Sequence, residues 1–252
     1  MAFTVSPIHS QRTTTTTTTT AATTTTATIL LAKPTTAVSL GDYIVELEKP
    51  LGMLLEENDS TGSGVFVKEI LEDGSAQSSR IAPGDVLLRV NDEDVSSFDF
   101  DAVMDTFVSA PSPIQLTLGD GLGKMDMAQN LIKTFSADEK SQRQLFFVDK
   151  VVREAVRYIR RDGRLGAVRE VEIIVGAGVS KDGKECKVRF FAIFSTDGVS
   201  SYSCNVAATG RRRGVATDST TVNGDNESAD IELTYLSCAK DEGLGQTVDL
   251  IV

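Results

Sequence analysis

The chain has 252 residues, 40% of them hydrophobic and 24% charged, with a formal net charge of −11. That is apolar material for one large or two small cores. No run approaches the roughly 18 apolar residues that a membrane-spanning helix needs, so a soluble protein without a transmembrane segment is expected.

Residues 1–41 carry no foldable pattern. Thr13–Thr20 is a homopolymer, and threonine dominates again to Thr28, so no periodic apolar face can form. The segment contains Arg12 and Lys33 and no acidic residue before Asp42. A hydroxylated, acid-free, weakly basic leader reads as an organelle transit peptide, more chloroplast than mitochondrial because Arg is scarce. The localisation expected on that reading is the plastid, and otherwise the cytoplasm, with a disordered N-terminal tail lacking any address as the alternative.

Charge then divides the remainder. Residues 42–120 hold 17 acidic and 4 basic side chains, a balance of −13, whereas 121–252 hold 19 of each. Two domains with different partners follow from that asymmetry. The acidic half disfavours nucleic acid and anionic lipid and favours basic ligands, unless its charge is only a solubilising surface.

In the acidic half, residues 43–47 alternate with period two and predict a strand. Lys49-Pro50-Leu51-Gly52-Met53 predicts a tight turn whose successive N–H groups can converge on an anion. Strands are predicted over 51–57, 65–70, 86–90 and 114–118, with a short helical turn opening at Asp73-Gly74-Ser75-Ala76 and a Pro-Gly turn at 81–85. Asp99 is placed to cap a helix through Val108, whose face carries Phe100, Val103, Met104 and Phe107.

Several of these features, in this order, resemble the PDZ domain: the Leu-Gly-hydrophobic loop at 51–53, Gly74-Ser75-Ala76, Ile81-Ala82-Pro83-Gly84-Asp85-Val86-Leu87-Leu88, Val90-Asn91, and a closing helix and strand. The resemblance covers residues 42–119. It implies a partly opened β-barrel with two helices that takes a C-terminal peptide as an added strand between its second strand and second helix. It further implies that the N–H groups of Leu51, Gly52 and Met53 hold the peptide carboxylate. Met53, Leu55, Met104 and Phe107 would line the pocket for the last side chain, although Met104 and Phe107 also suit an ordinary core. Phe100 takes the helix position that sets preference two residues earlier, so the expected ligand ends φ-x-φ, φ being apolar, with basic residues upstream to meet Asp99, Asp101 and Asp105. Lys49 either adds positive charge at the loop or is simply solvated. Pro50 departs from the family's usual glycine and removes a donor only at the turn's entrance.

Residues 121–135 read as a charged connector with short helical character. In 136–252, Ser136-Ala137-Asp138-Glu139 fits a capping box with Ser136 as N-cap. Leu145, Val148, Val152, Val156 and Ile159 then form one helix face, ended by Gly163, with Arg157, Arg160 and Arg161 suiting the negative helix end. Strands are predicted over 168–179 and 185–195 around an Asp-Gly turn, and over 199–208 and 229–239. Between the last two lies a polar loop, 209–228, carrying Arg211-Arg212-Arg213. One long helix and four antiparallel strands give an α+β domain, analogous at fold level to cystatin-like helix-on-sheet proteins. The sequence carries no motif that assigns this half a function.

Catalytic signatures are missing. The sole histidine, His9, lies in the leader, which removes Ser-His-Asp, Cys-His and HExxH chemistry from the rest of the chain. No GxSxG elbow or P-loop is present. Cys186, Cys204 and Cys238 are too widely spaced for a redox pair or a zinc site, so buried thiols are expected, with a disulfide as the alternative. No cofactor and no metal are expected. The leading expectation is a non-enzymatic peptide-binding adaptor or scaffold. The alternative is an enzyme or small-ligand binder whose pocket lies in 136–252, with the peptide-binding part regulatory. The terminal Leu250-Ile251-Val252 fits the φ-x-φ pattern, so a self-interaction through the tail is also expected.

Overall fold

A computed structural model describes residues 41–58, 64–196, 200–213, 231–240 and 247–251. The leader expected at 1–41 lies outside the described residues except for Gly41. No described helix is long and apolar enough to cross a membrane.

The first body is a six-stranded antiparallel sheet made of β1 (Asp42–Leu47), β2 (Met53–Glu57), β3 (Val65–Ile70), β4 (Val86–Val90), β5 (Glu93–Asp94) and β6 (Ile114–Gly119). Its order is β1-β6-β4-β3-β2, with β5 hydrogen-bonded to β4. Alternation in the sequence decides what goes inside. Val65 and Val67 of β3, and Ile114, Leu116 and Leu118 of β6, are all fully buried. Helix α1 (Phe100–Ser109) starts where Asp99 accepts the Ala102 N–H at 2.9 Å, the expected N-cap, and buries Val103 and Phe107. Ser75–Ser78 forms a single 3-10 turn.

The second body is a five-stranded antiparallel meander: β7 (Ala167–Val179), β8 (Glu185–Ser195), β9 (Tyr202–Arg212), β10 (Ile231–Lys240) and β11 (Thr247–Ile251). Helix α2 (Gln129–Phe135) precedes the long helix α3 (Glu139–Asp162), which lies on one face of the sheet. Cys186, Val188, Phe190, Ala192 and Phe194 of β8 pack beneath it with Cys204, Val206, Leu236 and Cys238.

Four expectations change here. The cap of α3 is Asp138, which accepts the Ser141 N–H at 2.7 Å, and not Ser136, which instead closes α2. The segment 121–135 is more than a connector: Met125, Leu131 and Phe135 are buried in the second core, and Asp126–Ala128 runs along the edge of β7 at Ile174. Strand β9 runs on through Arg211 and Arg212, so only Arg213 of the triplet follows the strand, and Arg212 sits 4.5 Å over the Phe147 ring. The fifth strand, β11, takes up the terminus: Ile251 pairs with Leu236 of β10, and Leu250 and Ile251 pack against the second core. Val252 lies outside the described residues.

The largest difference concerns the cations of α3. Val148, Val152, Val156 and Ile159 face the second sheet as expected, but Asp149, Arg153, Arg157 and Arg160 are buried too. The arginines turn towards the first body. Arg153 donates to both oxygens of Asp120 at 2.8 and 2.7 Å, to Asp149 at 2.7 Å, and to the Gly123 carbonyl. Arg160 donates to the Asp120 carbonyl at 2.7 Å and lies 3.7 Å from Asp85. Asp85 also accepts from the Tyr43 hydroxyl and from the Ala82 N–H. Burial pushes the Asp85 carboxyl above its ordinary range, against the pull of these donors and of Arg160. Arg80 and Arg157 both stack over the Tyr43 ring, at 4.6 and 5.1 Å.

Two outcomes follow. Removing one partner of a buried ion pair strands the other charge. Asp120→Ala should therefore lower unfolding stability by about 3 kcal/mol in urea titration, and a loss below about 1 kcal/mol, the range of a solvent-exposed pair, would contradict the buried pairing. The three cysteines are buried and form no disulfide among the described residues, and burial pushes the Cys186 and Cys238 thiols up to about 12. They should stay unlabelled by iodoacetamide at pH 8 until the protein unfolds. Since the unfolded thiols ionise near 9.0 and the folded ones do not, stability should fall as pH rises from 9.0 towards 12.

Candidate functional site: the β2–α1 groove and its terminal loop

Strand β2 ends the first sheet, so one of its edges has no partner strand among the described residues. It pairs with β3 through a bulge between Leu54 and Leu55. Met53 and Leu55 are half-buried against the first core, while Leu54, pointing the other way, is 45% exposed. Phe100, at the start of α1, is also half-buried against that core. Phe107 is only 6% exposed and belongs to the core, whereas Met104 is 38% exposed and stands at the surface. The structure thus brings Leu51, Met53, Leu55 and Phe100 to the rim of one apolar cluster, with Phe107 within it and Met104 outside.

The loop that opens β2 is held by its carbonyls. Pro50 O accepts from Ser75 N at 3.1 Å, Leu51 O from Ala76 N at 2.9 Å, and Gly52 O from Leu71 N at 2.8 Å. Among the described residues, none of these backbone bonds uses the N–H of Leu51 or Gly52. Successive free donors in a turn are what an anion requires. Pro50, which has no N–H, serves here through its carbonyl. Gly52 has φ +68°, and a Cβ at Gly74 would sit 2.2 Å from the Gly52 Cα. The loop and the 3-10 turn therefore touch backbone to backbone, which only glycine permits.

Lys49 is exposed, yet its side chain is held in place. Its ammonium donates to the carbonyls of Phe107 and Ala110, both at 2.8 Å, and so satisfies the last turn of α1. Lys49 N also donates to Ser112 Oγ, which bonds the Glu48 carboxylate. Ser75 is a site-shaping residue whose role the sequence reading missed: its hydroxyl donates to the Glu48 carbonyl at 2.6 Å while its N–H holds Pro50. The Gly74-Ser75-Ala76 pattern was its only signal. Asp99 is committed to the helix cap, while Asp101 and Asp105 are exposed on α1.

On the second sheet, a hollow of about 660 Å³ is lined by Gly176, Gly178, Lys187, Arg189, Thr209 and Tyr235, among others. The contact between α3 and that sheet is apolar and filled by Phe147, Phe190 and Phe194.

The glycine contact is open to a direct check. Gly74→Ala forces the loop and turn apart and should cost about 1–3 kcal/mol of stability while weakening any ligand held by the loop. A variant with unchanged urea midpoint would contradict the close approach.

Residues 44–119 match the family model of the PDZ domain. Among solved structures, the second PDZ domain of Dlg1 from the choanoflagellate Monosiga brevicollis is 25% identical over 31% of this chain and 90% of its own, with a TM-score of 0.29. The choanoflagellate GIPC PDZ domain bound to B1AR peptide is 22% identical over 34% of this chain and 96% of its own, with a TM-score of 0.30. INAD PDZ3, solved in complex with a TRP channel tail, is 23% identical over 31% of this chain and 84% of its own, with a TM-score of 0.28. No curated protein matches the chain. Residues 44–119 are a PDZ domain.

Proposed function

We propose that the chain is a peptide-binding adaptor that captures the C-terminal carboxylate of partner proteins by adding their last residues to β2. The observation that carries this reading is the pairing of an open strand edge with a loop whose carbonyls are all tied inward, leaving the N–H groups of Leu51 and Gly52 to an incoming anion. Met53 supplies the third donor at the start of the strand. The ligand's backbone continues the sheet while alternate side chains point to the apolar rim. Leu51, Met53 and Leu55 receive the last side chain over Phe107, and Phe100 contacts the residue two places earlier. The preferred terminus is φ-x-φ, with basic residues upstream near Asp101 and Asp105.

Two neighbours were solved with bound partners, one with a B1AR peptide and one with a TRP channel tail. The filled contact between α3 and its sheet also favours an adaptor over a ligand pocket between helix and sheet. Binding of its own tail would require β11 to leave β10 first, which argues against self-occupation of the groove.

A C-terminal peptide library screened against the full chain should enrich apolar last residues, and amidated copies should bind at least tenfold more weakly, the effect of losing charge-assisted bonds of about 1.5–3 kcal/mol. Equal binding by amidated peptides would end the carboxylate reading. Phe100→His should shift the enriched residue two before the end from apolar towards Ser or Thr; an unchanged library profile would remove Phe100 from the site.

A further inference from the structure

The 3-10 turn Ser75–Ser78 is gripped at both ends. At its start, Ser75 N and Ala76 N hold the Pro50 and Leu51 carbonyls of the terminal loop. At its finish, Arg161 of α3 donates Nη1 to the Ser79 carbonyl at 2.5 Å and Nη2 to the Gln77 carbonyl at 2.6 Å. A planar guanidinium spanning two carbonyls fixes direction as well as distance. Just beyond, Arg80 meets Glu154 of α3 at 2.8 Å. The side chain of Arg161 is thus two hydrogen-bonded links from the donors of Leu51 and Gly52, although it lies 84 residues from Gln77 and outside the PDZ segment.

We propose that Arg161 is a positioning residue for the peptide site, so that the last turn of α3 sets the loop that receives the carboxylate. This rests on the carboxylate-capture reading above. The turn has four residues, too short to hold its own orientation. Gly52 and Gly74 meet backbone to backbone, so a small rotation of the turn moves the loop with it. Guanidinium bonds to the carbonyls at its end supply the missing constraint and favour the negative pole of the turn. The second body is therefore part of the recognition apparatus without touching the ligand.

The test uses the full chain and a fluorescein-labelled peptide ending Leu-Ala-Val, as free acid and as amide, by fluorescence polarisation. Arg161→Ala should cut the free-acid preference over the amide about fivefold, the loss of one to two hydrogen bonds' worth of orientation. Arg161→Lys should recover part of it, because an ammonium can still reach one carbonyl. Arg164→Ala, in the segment after α3 with its partner Asp162, should leave the preference unchanged. Amide exchange at Ser75 and Ala76 should quicken in Arg161→Ala. A wild-type preference that Arg161→Ala leaves intact overturns the positioning role alone. Equal weakening of acid and amide would also overturn it, since that is general loss of structure. If the wild-type chain does not distinguish acid from amide, the capture reading fails and this inference falls with it.

Discussion

The constraint on which the rest depends is that α3 has two buried faces of different chemistry. Val148, Val152, Val156 and Ile159 recur at steps of 4, 4 and 3, and so do Asp149, Arg153, Arg157 and Arg160 one residue later. A helix places such neighbouring rows side by side. The apolar row seals the second sheet, and the charged row meets Asp85, Asp120 and Tyr43 of the first body. Arginine cannot shed its charge, so those carboxylates are required wherever the arginines are buried. An ionic contact of this kind supplies little net stability compared with an apolar one, but it tolerates few alternative dockings. Arg157 Nε and Arg160 Nε even lack hydrogen-bond partners among the described residues, a cost that an apolar interface would avoid. The geometry is consistent with a contact that serves orientation more than stability.

This docking changes the meaning of the charge asymmetry. A balance of −13 over residues 42–120 reads from sequence as an acidic surface awaiting a basic partner. Part of that charge is answered within the chain. Asp85 and Asp120 face the arginines of α3, Asp94 is held by Ser96, and Asp99 caps α1. On α1, Asp101 and Asp105 remain exposed. The field of these exposed carboxylates is local to α1 and is screened by salt as exposed charges are.

Local periodicity made most elements legible. The period-two runs of β3, β4, β6 and β8 and the Asp99 cap emerge as expected, because each is decided by neighbours in sequence. The errors have tertiary causes. Ser136 looks like an N-cap only until Leu131 and Phe135 are seen to be buried, which extends helix to 135 and passes the cap to Asp138. The strand at 247–251 resembles a free tail because its alternation matters only once β10 is beside it. The arginines of α3 carry an obvious local explanation, the negative helix end, and it conceals the distant one. In the candidate site, Leu51, Met53, Leu55 and Phe100 are named by the resemblance alone, and the fold gathers them at the rim of one apolar cluster. The roles of Lys49 and Ser75 were not legible, since their partners at 107, 110 and 48–50 depend on how the loop closes.

The loop itself shows why Pro50 fits where glycine is usual. Three features fix the loop from outside: the Lys49 ammonium on the end of α1, the carbonyl bonds to the 3-10 turn, and the backbone contact of Gly52 with Gly74. None of them uses the N–H that proline lacks. The conformational freedom that a glycine brings at position 50 would be an entropic cost on folding, and proline lowers that cost by restricting the unfolded chain. The position that does need glycine is 52, because its positive φ and the approach of Gly74 leave no room for a Cβ. The placement of this loop therefore depends on where its carbonyls are anchored, and the anchors reach through Ser75 and Ala76 to a helix of the other body.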